Sequence, residues 1–365
     1  MRVELGHTRG GVNLSIDGRS VRWEGEDIVG SGDLALTTTL LAAMVSGDDQ
    51  LLVCSAVSTR LQRNAAALQA IFGKWLPNAH TVNVAVPAQA SVSSAGGETA
   101  CFFSGGVDSF HAVVSNRAEI DRLVYVDGFD VRSQQGLLRQ RVHQSLRDAA
   151  DALGIQLTVL STDLRDWSDE FVAWPMYHGA ALASAAHLLS GSVSRAIVPS
   201  SAPYDQLYPW GSHPLTDPLW SGTVEVEHRG AALDRFEKTE AIIDEPAAWR
   251  ALRVCWRNPG QAYNCGMCEK CLRTMTTLAA FGVLERFETF PDTLTARRVA
   301  QLQLRGDAAR RNARVNVRLL SERGERPDLA RAWQRALAGP SLSQRGAGLG
   351  RRAFKSLKRR WRGTR

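Results

Sequence analysis

What this sequence lacks narrows its class. It has no run of about 18 apolar residues, the length a helix needs to span a bilayer, so no transmembrane segment is expected. The opening residues Met1-Arg2-Val3-Glu4-Leu5-Gly6-His7 carry no apolar secretory core, which sets the expectation of a cytoplasmic location. Cysteine is scarce, and four of the six fall within 255–271, an arrangement that argues against a disulfide framework. Acids are missing altogether from 339–365, which holds nine Arg or Lys. The other 35 basic residues face 37 acidic ones, so the net charge of +7 belongs to that tail. At 365 residues and 44% hydrophobic content the chain can build one or two ordinary cores.

The most informative stretch present is Cys101-Phe102-Phe103-Ser104-Gly105-Gly106-Val107-Asp108-Ser109-Phe110. An apolar strand ends there in two glycines flanked by serines and runs into a helix. Gly105 and Gly106 carry no β-carbon, so backbone N–H groups can approach an oxyanion closely. The helix opening near Val107 points its first N–H groups and positive dipole end at the same spot, and Ser104 and Ser109 add hydroxyl donors. No Gly-Lys-Ser/Thr closes the loop, so it is not a Walker A sequence, and cations for a triphosphate must come from elsewhere.

A second constellation is Cys255, then Cys265-Gly266-Met267-Cys268-Glu269-Lys270-Cys271, a C-x9-C-x2-C-x2-C pattern. Short C-x2-C links bring sulfurs within reach of one ion, so a structural Zn2+ site of four thiolates is expected, with an iron–sulfur cluster as the alternative. Cys54 and Cys101 sit in apolar runs and read as buried, inert thiols.

The S-G-G-x-D-S letters of 104–109 resemble the signature of the PP-loop ATP pyrophosphatase superfamily. Together with the four cysteines they resemble the 7-cyano-7-deazaguanine synthase family over roughly residues 98 to 285. That resemblance implies ATP and Mg2+ as cofactors and cleavage between the α and β phosphates. AMP then activates a carboxylate for attack by a nitrogen nucleophile. It implies phosphate binding by Ser104, Gly105, Gly106, Val107 and Ser109, with Asp108 orienting the loop or holding Mg2+. Lys238, in the segment where the family places a lysine, is then a phosphate-facing cation; the competing reading is a solvated helix lysine. The region 178–214 does not match the family's deazaguanine pocket, so the expected substrate is a different small molecule or modified base.

Around these motifs the pattern divides the chain into four. An N-terminal α/β lobe over 1–97 has a hairpin through Asp17-Gly18, helices over 34–45 and 58–75, and strands over 51–54 and 82–86. A segment over 98–290 alternates strand and helix, which predicts a parallel sheet covered by helices on both faces. A helical extension over 291–338 and the basic tail follow. Ligands of parallel sheets sit beyond the strands' carboxyl ends. Asp127 ends the second expected strand, where the resemblance implies that it can meet adenine or ribose, and Arg165 follows the third as a cation near the triphosphate. The aromatic, polar stretch with Tyr204, Asp205, Tyr208, Trp210, His213 and Asp217 can stack a planar ligand or pack on itself.

In the tail Phe354, Leu357 and Trp361 recur at helical spacing among Arg and Lys. Such a stretch suits an anionic membrane surface or RNA; a disordered solubilising tail is the plainer reading. The expectation is an ATP-dependent ligase that forms a C–N bond. A PP-loop tRNA-modifying enzyme and a non-catalytic nucleotide-binding module are the alternatives.

Overall fold

The computed structural model describes residues 1–87, 89–90, 96–131 and 135–339. The basic tail after Gly339, with the membrane or RNA contact expected of it, lies outside the described residues. The chain divides into two compact units, Met1–Tyr263 with Phe287–Thr289, and Asn264–Arg286 with the chain from Phe290 on.

The first unit opens with an antiparallel meander of β1 (Arg2–Thr8), β2 (Gly11–Ile16) and β3 (Arg19–Glu24). Asp17 and Gly18, at φ of 48° and 80°, form the left-handed two-residue turn that the β2–β3 hairpin requires. Next come α1 (Gly32–Ser46), β4 (Gln50–Val53), β5 (Val57–Ser58), α2 (Thr59–Trp75), β6 (Asn83–Ala85) and β7 (Gln89–Ala90). Thereafter come β8 (Glu98–Phe102), α3 (Val107–Ser115), β9 (Arg122–Asp127), α4 (Gly136–Leu153), β10 (Gln156–Thr162), α5 (Leu164–Ser168), α6 (Trp174–Leu188), β11 (Val193–Pro199), β12 (Glu225–Arg229), α7 (Arg235–Glu240) and α8 (Pro246–Ala251), with helices between the strands up to β11 as the pattern predicts.

Ten of these strands form one mixed, mostly parallel sheet in the order β12-β11-β8-β9-β10-β3-β2-β1-β4-β6. Strands β8 to β12 run parallel, β3 pairs antiparallel with β10, and β1 to β4 and β6 therefore continue the same sheet, while β5 and β7 pair with each other in a small second sheet. The strand order reverses between β8 and β11. Chain connections leave β8 in one direction for β9 and β10 and return past it to β11 and β12, the arrangement beside which ligands of open α/β sheets bind, beyond the strands' carboxyl ends.

Helices α1 and α6 are buried nearly all round, and their small residues allow close packing. Tyr177 donates its hydroxyl hydrogen to the carbonyl of Thr38 at 2.6 Å, and Ser184 bonds Thr37 and Thr38 at 3.0 and 3.1 Å. Two elements depart from the sequence expectation. Strand β12 is polar (Glu-Val-Glu-His-Arg) because it lies at the sheet edge, where one side faces water. Helix α6 starts a turn earlier than its apolar pattern, since Pro175 fits a first helical turn whose N–H groups need no intrahelical partner.

The second unit holds α9 (Glu269–Ala280), α10 (Ala296–Ala300), α11 (Gly306–Arg323) and α12 (Pro327–Ala338). Trp333 of α12 is fully buried and donates its indole N–H to Thr276 of α9 at 3.1 Å. Thr277 donates to the Asn316 amide oxygen of α11 at 3.0 Å, so the apolar faces of three helices close on a small core.

Candidate functional site

The loop after β8 is built by its glycines. Gly105 has φ of +71°, and a β-carbon there would stand 3.0 Å from Leu146 and 3.3 Å from the Ala251 carbonyl. Its own carbonyl accepts from Arg253 N–H at 2.7 Å, which fastens the loop from outside. Gly106 is the N-cap of α3 and supplies no side-chain cap, so the first-turn N–H groups keep their anion-binding character. Ser109 donates its hydroxyl hydrogen back to the Gly106 carbonyl at 3.0 Å, and Ser104 is half-buried beside it. Val107, the first residue of α3, is buried and anchors the helix start in the core.

Asp108, in that first turn, gathers two cations from α7. Arg235 forms an ion pair with its Oδ2, and Lys238 Nζ lies 3.8 Å from its Oδ1. Lys238 is only 1% exposed and donates to the Ser200 carbonyl at the end of β11 at 2.8 Å. Helix α7 is aimed by a capping box, in which Asp234 accepts from the N–H of Glu237 and Glu237 accepts from that of Asp234. Burial pulls the Lys238 ammonium below the usual lysine range, and Arg235 adds to this while Asp108 opposes it. The solvated-helix alternative for Lys238 is thereby replaced by a buried cation at the loop.

Asp127 and Arg165 fall on the other side of β8. They line a solvent-open cleft of about 200 Å³ beyond the ends of β9 and β10, together with Arg22, Arg139 and Asp163. Asp127 is paired with Arg139, and His143 Nε2 stands 3.5 Å from the same carboxylate oxygen. Burial pushes the Asp127 carboxyl up, but His143 and Arg139 outweigh it and hold it below the usual carboxylate range. Arg165 lies over the Trp174 ring at 4.6 Å and donates to the Phe129 carbonyl. Strand β3 contributes Arg22 and Glu24 to this cleft, a role for the N-terminal meander that its own sequence does not signal.

The aromatic stretch mostly packs on itself. Tyr208 and Trp210 stack edge to face at 5.3 Å, Trp210 meets His178 at 5.8 Å, and His213 meets Trp75 at 5.1 Å. Asp217 turns inward, where His228 of β12 donates to it at 2.7 Å.

The cysteines form the second expected constellation. The Sγ atoms of Cys255, Cys265, Cys268 and Cys271 all lie within 4.8 Å of one another, and all four residues are buried. Cys265 accepts from the N–H groups of Met267 and Cys268 at 3.5 and 3.3 Å, Cys268 from that of Cys271 at 3.5 Å, and Cys255 from that of Asn258 at 3.3 Å. These N–H···S bonds suit thiolates. The Cys265–Cys271 separation of 3.9 Å is far from a disulfide and close to the roughly 3.8 Å edge of a tetrahedron with metal–sulfur bonds near 2.3 Å. Gly266, at φ +62°, makes the knuckle possible; a β-carbon there would stand 2.2 Å from Thr293 Oγ1. The set therefore fits a metal such as zinc. Cys101, by contrast, is buried in β8, where desolvation pushes its thiol up to about 12, so it is inert as expected.

The structure thus gathers Ser104, Gly105, Gly106, Val107, Asp108, Ser109 and Lys238 in one place and Asp127 with Arg165 in another, with the four cysteines forming a third group. Arg235, Arg139, His143 and the Asp217–His228 pair were not singled out from sequence. Comparison with protein-family models, with curated proteins and with solved structures gives no match.

Proposed function

We propose that this chain is an ATP pyrophosphatase of the PP-loop type, in the manner of the 7-cyano-7-deazaguanine synthases. It adenylates a substrate carboxylate and passes it to a nitrogen nucleophile, which releases AMP. The observation that carries this reading is the position of the Ser104–Ser109 loop. It leaves the carboxyl end of β8 where the strand order reverses, with a positive-φ glycine and an uncapped helix start.

The loop has no lysine of its own, and Arg235 and Lys238 stand beside it at Asp108, where they can offset the charge on a leaving pyrophosphate. Backbone N–H groups of 104–107 and the Ser104 hydroxyl bind the phosphates, the Ser109 hydroxyl joins them by turning from the Gly106 carbonyl, and Asp108 can share in holding Mg2+. The cleft with Asp127, Arg139 and Arg165 suits the ribose and base of the same nucleotide. The four cysteines hold a zinc ion, and a site closed by four thiolates has no open position for catalysis, so its role is structural.

Product analysis tests the reading. ATP consumed with substrate should appear as AMP and pyrophosphate; ADP and orthophosphate as the substrate-dependent products would overturn it.

A further inference from the structure

Arg253 follows α8 and precedes Cys255 by two residues, and its backbone lies against the loop after β8. Its N–H donates to the Gly105 carbonyl at 2.7 Å, and its own carbonyl would stand 3.7 Å from a β-carbon at Gly106. The side chain therefore starts at the loop, and it is only 7% exposed. Two observations place its guanidinium toward the end of the neighbouring strand β9. Nη2 lies 3.9 Å from Oδ2 of Asp130, three residues beyond that strand. Burial pushes the Tyr125 phenol of β9 above its usual range, and the Arg253 charge acts against this.

A buried arginine is ordinarily paired, because its charge and its five N–H groups all call for acceptors. Arg253 is poorly supplied. Nη1 reaches the Cys255 carbonyl at 3.5 Å, Asp130 stands beyond hydrogen-bond distance and is 56% exposed, and Nε has no partner among the described residues. Arg122 in the same sheet shows the contrast: its side chain, 5% exposed, pairs with both Glu98 and Asp27 and donates to Thr158 at 3.1 Å. The Arg253 charge is thus withdrawn from water with no acceptor close enough to offset the cost. Nε is closed off, so Nη1 and Nη2 are the groups left to meet an oxyanion.

We infer that Arg253 binds the α-phosphate of the nucleotide. This rests on the ATP pyrophosphatase reading, which puts the phosphates on the 104–109 loop and the ribose and base in the Asp127 cleft. The α-phosphate is the group that joins the two, and Arg253 runs from the one toward the other. Arg235 and Lys238 reach the loop from α7, so the cations divide the work. Those two face the pyrophosphate that leaves; Arg253 faces the phosphorus that stays. As the substrate carboxylate oxygen bonds to the α-phosphorus, the bond to the bridging oxygen breaks and its electron pair departs with pyrophosphate. No proton moves. The α oxygens keep their charge throughout, and a guanidinium on them holds the phosphorus in position.

Substituting the side chain leaves the backbone bond to Gly105 in place, so Arg253→Gln and Arg253→Lys isolate the guanidinium. The full chain is titrated with adenosine, AMP and ATP, and zinc content and melting temperature are read on the same samples. Arg253→Gln should weaken AMP and ATP by the same factor, roughly tenfold to a hundredfold, and leave adenosine unchanged. Arg253→Lys keeps the charge without the fork and should lose less. Should the glutamine variant fail to fold, the same comparison on Arg253→Lys decides. AMP affinity equal to the parent's, a loss shared by adenosine, or a loss for ATP alone would overturn the assignment. So would zinc loss with unchanged nucleotide binding, which would make Arg253 a countercharge to the thiolates. A parent protein that binds neither AMP nor ATP overturns the pyrophosphatase reading and this assignment with it, an outcome visible before any variant is made.

Discussion

Lys238 Nζ lies 3.8 Å from Asp108 Oδ1, the lysine 1% exposed and the aspartate 18%. The two partners are not equivalent. Asp108 also pairs with Arg235, so it keeps a cation if Lys238 is lost, whereas Lys238 without Asp108 is a buried charge close to another cation. Lys238→Met should therefore leave stability within about 1 kcal/mol of the parent, while Asp108→Ala should cost about 3 kcal/mol. Urea unfolding of both variants checks the asymmetry. ATP cleavage should fall roughly a hundredfold or more in both, since each removes charge organisation at the loop.

The glycines of the loop should also separate. Gly105→Ala meets both a positive φ and a contact 3.0 Å from Leu146, and should cost about 1–2 kcal/mol. Gly106 has φ of −84° and its β-carbon would approach nothing closer than Ser104 Oγ at 3.4 Å, so Gly106→Ala should cost less. Thermal unfolding ranks the two, and nucleotide titration should show weaker ATP binding in both, because each side chain crowds the phosphate path.

How much of this was legible in the sequence follows from chain distance. The 104–109 loop and the cysteine cluster are local: each is written in a short stretch whose letters and spacing shape the backbone. The alternation of β8 to β11 with helices was equally readable, because buried strands and amphipathic helices have distinct periods. Arg235 was not readable, since it reaches Asp108 from 127 positions away, and only the path of the sheet brings α7 to α3. Arg139 and His143 stand close to Asp127 in sequence, but they are two of several polar residues on α4, and only the packing of that helix shows that these two reach the carboxylate. Asp217 was noted as one polar residue of an aromatic stretch, but its pairing with His228 depends on β12, whose charged edge-strand sequence gives no strand signal. Nor does anything in β3 announce that Arg22 and Glu24 would wall a cleft with Asp127.

The metal reading carries its own check. Elemental analysis should give one zinc per chain, and Cys268→Ser should lower both zinc content and thermal stability, because metal affinity at such a site is folding free energy. Removing zinc with a chelator should lower the melting temperature of the parent and change the Cys268→Ser protein less. Zinc-free protein of unchanged stability would count against the site.

Acid should destabilise the first unit before its carboxylates titrate. His187 is fully buried; its Nε2 faces the Trp220 carbonyl at 2.9 Å, and its Nδ1 accepts from the Val224 N–H at 3.4 Å, so the ring sits neutral. Burial depresses its pKa from 6.5, although Asp33, with Oδ2 3.9 Å away, and the Trp220 carbonyl act the other way. His111, 5% exposed, is depressed by burial and then by Lys238, against the pull of Asp108. Below the unfolded value of 6.5 the unfolded chain takes up protons that the folded chain refuses, so unfolding consumes protons and stability falls with falling pH. Asp33 adds a later loss. Burial pushes its carboxyl up, but His187, Thr223 and Ser58 hold it below 3.8, so its contribution disappears only as pH drops beneath that value. Denaturant midpoints should therefore be level above neutrality and decline from about pH 6.5 to 5. His187→Gln should flatten that decline while lowering stability throughout, since the glutamine cannot reproduce both ring contacts. A midpoint that rises or stays constant on acidification to pH 5 would show that these imidazoles are not held neutral.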